Sequence, residues 1–145
     1  MLEAHDIFIR RYPFEKDYSK PGRLLETVKI GDVWVSRLEI LPGVVTGNFY
    51  HKETNTVKFV ERGKVLMGFV QTKTTQRKEI VMEPGMGIIH MPSYVATAYK
   101  NIGKDTAVVI LFSDRPFRSG DDFAMNVIPW PSEKNSHGVA EHEAV

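Results

Sequence analysis

Apolar and polar residues alternate along most of this chain in short blocks, and turn-forming residues separate the blocks. Leu24 to Ile30 and Val33 to Leu41 are rich in β-branched residues and are joined by Gly31-Asp32, which predicts two strands and a tight turn. In the second strand Trp34, Ser36, Leu38 and Ile40 share one face, and Val35, Arg37 and Glu39 share the other. Pro42-Gly43 ends it. Further short strands are predicted over 48–51, 55–62 and 64–72, with Gly63 between the last two. Others follow over 79–83, stopped by Pro84-Gly85, and over 86–91, 95–100 and 106–113. Lys73 to Lys78 is polar and basic and reads as a hairpin tip, and Gly103-Lys104-Asp105 as a turn. Residues 6–11 alternate weakly and read as a strand, whereas Tyr12 to Arg23, charged and with two prolines, reads as a loop. Ser119 to Asn126 is read as one helical turn, and 131–145, poor in apolar residues, as a flexible tail. Short strands at this regular spacing predict an all-β sandwich or barrel, a single domain over residues 1–130.

Composition narrows the function more than the fold. A net charge of +1 gives no electrostatic case for nucleic acid or an acidic membrane surface as partner. The chain has no Cys, so disulfides and thiolate zinc sites are excluded. No apolar run approaches the roughly 20 residues that span a bilayer. The start, M-L-E-A-H-D, lacks the basic and apolar segments of a signal peptide. The expected location is cytoplasmic.

One stretch, Gly43 to Gly63, carries a spacing that organises the rest. Gly43 is followed by five residues, then Phe49-Tyr50-His51, four residues, Thr56, six residues and Gly63. This resembles the first motif of the cupin family, G, five residues, H-x-H, three or four residues, E, six residues, G. The second cupin motif resembles Pro84 to Asn101, where Pro92, Tyr94, Thr97 and Asn101 fall at its P, G, H and N positions. One extra residue lies between Gly85 and Pro92. The resemblance covers roughly residues 30–115 and implies a double-stranded β-helix, the cupin jelly-roll barrel. It also implies pairing into a homodimer. Of the four metal-ligand positions in these motifs, only His51 keeps a ligand. Phe49, Thr56 and Thr97 stand at the other three. Thr is a poor ligand when neutral, so no metal and no other cofactor is expected.

Strand parity then fixes the interior. Phe49 and His51 face in by the motif. With Thr56 facing in, Lys58 does too, and with Thr97 so does Tyr99. A lysine inside a barrel is expensive to bury without a partner, and burial lowers its pKa toward the range of proton transfer. His90, near Pro92, is expected to line the barrel mouth.

A closer resemblance is to the sugar-nucleotide branch of the cupins, the dTDP-4-dehydrorhamnose 3,5-epimerases and the dTDP-4-keto-6-deoxyglucose 3,4-ketoisomerases, with the cupin domains of capsule-sugar enzymes. K-P-G-R-L-L-E-T before the first barrel strand, G-V-V-T-G-N-F-Y-H-K, and V-V-I-L-F-S-D-R-P-F with V-I-P-W after it carry the likeness. It implies removal of a proton next to a ketone and its return elsewhere, which needs a base, an enolate-stabilising group and an acid. His51 is the expected base, Lys58 the holder of the enolate oxygen and Tyr99 the second proton donor or acceptor. Phe49, Thr56, Thr97, Arg37 and His90 are expected to contact the ligand, a dTDP- or UDP-sugar. The epimerases' catalytic His maps onto Phe49, which speaks against a standard 3,5-epimerase. Two other readings stand beside this one. The same pocket suits a cupin that binds a sugar-like molecule without turnover. A metal enzyme would have to recruit atypical ligands such as His90 and Glu39 around His51.

Overall fold

The computed structural model describes residues 8–116 and 120–130, which form eleven strands, numbered here in chain order. One antiparallel sheet has the order β1 (Glu15–Asp17), β2 (Arg23–Ile30), β3 (Val33–Ile40), β10 (Ala107–Ser113), β5 (Thr56–Arg62), β8 (Ile89–Met91). The other has the order β11 (Phe123–Ala124), β4 (Val45–Tyr50), β9 (Val95–Asn101), β6 (Val65–Gln71), β7 (Arg77–Met82). The chain crosses between the sheets after β3, β4, β5, β7, β8, β9 and β10, so that distant strands such as β3 and β10, or β4 and β9, become neighbours in a jelly roll. No helix among the described residues is long and apolar enough to cross a membrane.

The pairing register sorts the interior into layers. Ile40 lies opposite Ala107, and Val65 opposite Asn101. In the next layer Leu38 lies opposite Val109 and Leu25, and Tyr99 opposite Met67 and Thr46. Above these, Leu111 faces Lys58 and Ser36, and Thr97 faces Phe69 and Phe49. The last layer brings Thr56 against Ser113 and Met91. Leu25, Leu38, Ile40, Val60, Val65, Met67, Met82, Ala107, Val109 and Leu111 are buried together between the sheets. The interior therefore runs from an apolar end to a polar one.

The outer face of the second sheet is also covered. Ala96, Ala98 and Val70 point away from the barrel and are buried under Val127 and Ile128 of the returning C-terminal segment. Gly68 permits the approach, since a Cβ there would lie 2.8 Å from Val127 Cγ1. Asn48 fastens the segment. It is the extra residue of a bulge in β4 and takes a positive φ of 63°, which Asn tolerates better than most residues. Its Oδ1 accepts the Val127 and Ile128 N–H groups at 2.7 and 3.0 Å, and its Nδ2 donates to the Ile128 carbonyl at 3.0 Å.

Three local expectations need correction. Glu15–Asp17, read as loop, is a strand, because the charged residues flank an edge and pair with Leu25 to Thr27 through the backbone. Residues 8–11 of the first expected strand carry none. Residues 120–126 contain no helical turn. Phe123 and Ala124 pair with Tyr50 and Phe49 instead, and the Met125 N–H donates to the Asn48 carbonyl. The expected tail, 131–145, lies outside the described residues.

Candidate functional site

The polar end of the barrel buries Thr56, Lys58, Thr97, Tyr99 and His51, held by β5, β9 and the loop after β4. β5 alternates Thr56, Lys58 and Val60 inward, and β9 does the same with Thr97 and Tyr99. His51 sits just past the end of β4 and is 2% exposed. Lys58 crosses the barrel from one sheet to the other. Its Nζ donates to the Tyr99 hydroxyl, approaches Met91 Sδ at 3.5 Å, and lies 4.7 and 5.8 Å from the Tyr99 and Phe69 ring centres. Among the described residues no carboxylate reaches salt-bridge distance of Nζ. Burial alone pulls the Lys58 ammonium down to about 7. Burial also pushes the Tyr99 phenol up, slightly opposed by the Thr97 hydroxyl. That contact is loose, because Thr97 Oγ1 makes no well-formed hydrogen bond. Among the described residues Thr56 Oγ1, also buried, finds no hydrogen-bond partner.

A second cluster fixes His51. Its Nδ1 lies 2.8 Å from the Asp121 carbonyl oxygen and 3.0 Å from Asp122 Oδ1. Both are acceptors, so the hydrogen-bond network assigns the proton to Nδ1 and leaves Nε2 as the basic nitrogen. The Asp121 side chain locks the loop after β4. Oδ1 accepts the Lys52 N–H at 3.0 Å, and Oδ2 accepts the Glu53 and Thr54 N–H groups at 2.9 and 3.0 Å and the Thr54 hydroxyl at 2.8 Å. Burial raises the Asp121 pKa, but these hydrogen bonds and the nearby His51 outweigh it and hold the carboxyl at about 2. Neither aspartate stands out in the sequence. R-S-G-D-D-F reads as an ordinary polar loop, and only the long-range return of the chain brings it to His51.

A cavity of about 380 Å³ opens beside these groups. Tyr99, Thr46, Phe49 and Asp122 line it, with Leu25, Leu38 and Leu111 as an apolar wall. Lys20 and Arg23 add two cations, and Arg23 Nη2 also lies 3.4 Å from Asp17 Oδ2. His51 is not in the wall. The Phe49 ring, tilted 51° with its centre 5.0 Å from the imidazole, stands between His51 and the cavity. Lys58 is likewise one layer back, behind Tyr99. The Lys58 amine thus meets the Tyr99 hydroxyl and does not line the cavity.

Of the expected ligand contacts Phe49 lines this cavity, Thr56 and Thr97 are buried without reaching it, and Arg37 and His90 fall on other faces. Arg37 lies on the outer face of β3, where its guanidinium pairs with Glu26 at 3.1 Å and with Glu39, which raise its pKa against the opposing effect of burial. Strand parity places it there, opposite to Ser36 and Leu38. His90 is exposed on the edge strand β8, whose inward residue is Met91, and it lines two clefts at that edge rather than the 380 Å³ cavity. With Phe49, Thr56 and Thr97 beside one imidazole, the donor set does not fit a metal ion. Among the described residues no three His, Cys, Asp or Glu side chains gather to hold one.

Residues 17–123 match the family model described as "Polysaccharide biosynthesis C-terminal domain". No curated protein matches the chain. Among solved structures, the chain superposes on the capsular polysaccharide assembling protein CapF from Staphylococcus aureus with a TM-score of 0.72 at 20% identity. That match covers 81% of this chain and 33% of CapF, so the chain spans about a third of that protein's length. It also superposes on an oxalate oxidase (TM-score 0.60, 17% identity, 68% of this chain and 54% of that one). A third match is hazelnut (Corylus avellana) vicilin (TM-score 0.62, 16% identity, 77% of this chain and 34% of that one). At these identities the matches show the fold alone, and that fold is the cupin jelly roll.

Proposed function

Because the chain belongs to the polysaccharide biosynthesis C-terminal domain family, we propose that it isomerises or epimerises a nucleotide-linked 4-keto sugar, without a metal ion. The observation that carries this reading is the His51 imidazole, oriented through Nδ1 by the Asp121 carbonyl and the Asp122 carboxylate beside a cavity floored by Tyr99. A ketone makes the neighbouring C–H groups weakly acidic. His51 Nε2 takes such a proton, and the Asp122 carboxylate steadies the resulting imidazolium. Tyr99, kept protonated by its burial, returns a proton to the other face of the enolate. Lys58 acts through Tyr99, as a positioning residue that orients and recharges the phenol. Lys20 and Arg23 suit the diphosphate of the nucleotide. The Phe49 ring must swing aside for a sugar to reach His51.

That same covering ring supports a second reading, in which the protein binds a sugar-like molecule without turnover. Incubation with a dTDP- or UDP-4-keto sugar in D2O, followed by proton NMR, separates the two. Turnover exchanges the protons next to the ketone, and His51→Gln slows the exchange by roughly 10²–10⁴-fold while binding changes little. Binding with no exchange above the buffer rate leaves the non-catalytic reading. Exchange that survives His51→Gln removes His51 from the mechanism.

A further inference from the structure

We propose that the outer face of the second sheet, around β4, binds an acidic saccharide chain at a site separate from the barrel cavity. Three rings form a row there. Tyr50 points outward from β4, opposite to Phe49, and packs on the cluster around Ala96 and Ala98. Phe123, its register partner on β11, has its ring centre 5.5 Å away. Tyr94, which leads into β9 on the other side of β4, has its ring centre 6.4 Å away. Both neighbours are inclined to the Tyr50 ring by only 29°. An ammonium stands at each end of the row. Lys52 Nζ lies 4.3 Å from the Phe123 ring centre, and Lys73 Nζ 4.6 Å from that of Tyr94. The three rings are half-buried and both lysines are exposed.

Tyr94 is the residue that the fold does not explain. Its φ is 69°, a left-handed conformation that is an outlier for a bulky side chain, and it stands at the glycine position of the second cupin motif. The backbone itself is fixed by hydrogen bonds. The Tyr94 N–H donates to the His51 carbonyl at 2.6 Å, and its carbonyl accepts the Thr72 N–H at 3.1 Å and the Thr72 hydroxyl at 2.7 Å. Glycine would meet this φ without strain. A strained residue that carries a ring into an existing aromatic row points to a use for the ring.

Two features select the ligand. The negative faces of aromatic rings favour the C–H faces of sugar rings. Ammonium groups at both ends call for carboxylates, as on a uronate. Among the described residues neither lysine makes an ion pair, and the nearby carboxylates of Glu53 and Asp122 meet Arg115 at 2.7 Å and His51 at 3.0 Å. A single-stranded nucleic acid also stacks on rings and pairs with lysines. The net charge of +1 and the polysaccharide biosynthesis family favour the saccharide. The site does not rest on the reaction proposed inside the barrel, from which β4 separates it.

The test titrates the full-length protein by calorimetry with hyaluronan oligosaccharides, which carry a uronate on every second sugar. Chitin oligosaccharides of equal length, which carry none, are the control. Hyaluronan is expected to bind about 5-fold or more tightly than chitin, and Lys52→Gln with Lys73→Gln is expected to remove that preference. Tyr94→Gly is expected to weaken hyaluronan about 10-fold or more without lowering Tm, because glycine relieves the strain. Absence of saturable hyaluronan binding overturns the proposal, as does an affinity unchanged in Tyr94→Gly. Oligothymidylate that binds more tightly than hyaluronan overturns the saccharide and assigns the row to nucleic acid.

Discussion

The two ends of the barrel interior bury polar side chains in opposite ways. At the apolar end Asn101 is fully buried among Ile40, Val65 and Ala107. Its Nδ2 donates to the Ile40 and Asp105 carbonyls at 2.8 Å each, and its Oδ1 accepts the Gly103 N–H at 2.8 Å. Nothing on that side chain is left unmet. At the polar end, among the described residues, Thr56 Oγ1 has no partner, Thr97 Oγ1 has only a loose one, and Lys58 has a phenol and a thioether in place of a counter-ion. Unmet buried polar groups cost stability, so a fold selected for stability alone would not keep them. The contrast separates a polar residue that holds the fold from polar residues the fold carries for another purpose.

The contrast can be broken from either end. The largest expected effect is Ile40→Ala, which opens a cavity in the fully buried layer and costs about 3–4 kcal/mol in urea unfolding. The folded fraction should keep its ligand binding. Next comes Asp121→Ala, which strands the Lys52, Glu53 and Thr54 N–H groups and loosens the loop after β4, at a cost of about 2–3 kcal/mol. Because Asp121 is held at about 2, its contribution is present above the ordinary carboxylate pKa of 3.8 and is lost as pH falls toward 2. Acid titrations of wild type and Asp121→Asn should therefore converge at low pH. The smallest effect is Thr56→Val, which removes an unsatisfied hydroxyl at constant shape and should leave stability unchanged or raise it by about 1 kcal/mol. A loss of several kcal/mol in Thr56→Val would show a hidden structural partner and blur the two ends.

Much of this contrast is legible in the sequence, and the limits have a physical cause. Parity along β5 and β9 places Thr56, Lys58, Thr97 and Tyr99 inside once one position of each strand is known, because side chains alternate strictly. The same rule puts Arg37 outside, beside Glu39, although its charge suggested a ligand contact. His90 misled for a related reason, since β8 is only three residues long and presents Met91 inward. Asp121 and Asp122 were beyond reach. Their partners His51 and Thr54 lie about seventy residues earlier, and no local pattern reports a pairing closed by the return of the chain to β4. Phe49 was readable as a lost metal ligand, but its position as a cover over His51 depends on packing.

The central claim, that the polar end is maintained at a cost to the fold, is tested most directly by the unfolding free energy of wild type and Lys58→Met between about pH 7 and pH 10. In the native protein Lys58 loses its proton near 7, whereas the unfolded chain holds it up to the ordinary 10.5. The unfolded state therefore binds the extra proton in this window, and wild-type stability rises with pH by up to ~1.4 kcal/mol per pH unit from this group. Lys58→Met is predicted to be more stable than wild type at pH 7, by about 1–3 kcal/mol, with the difference shrinking as pH approaches 10. Parallel curves, or a variant less stable than wild type at neutral pH, would contradict the account and make Lys58 a structural residue like Asn101.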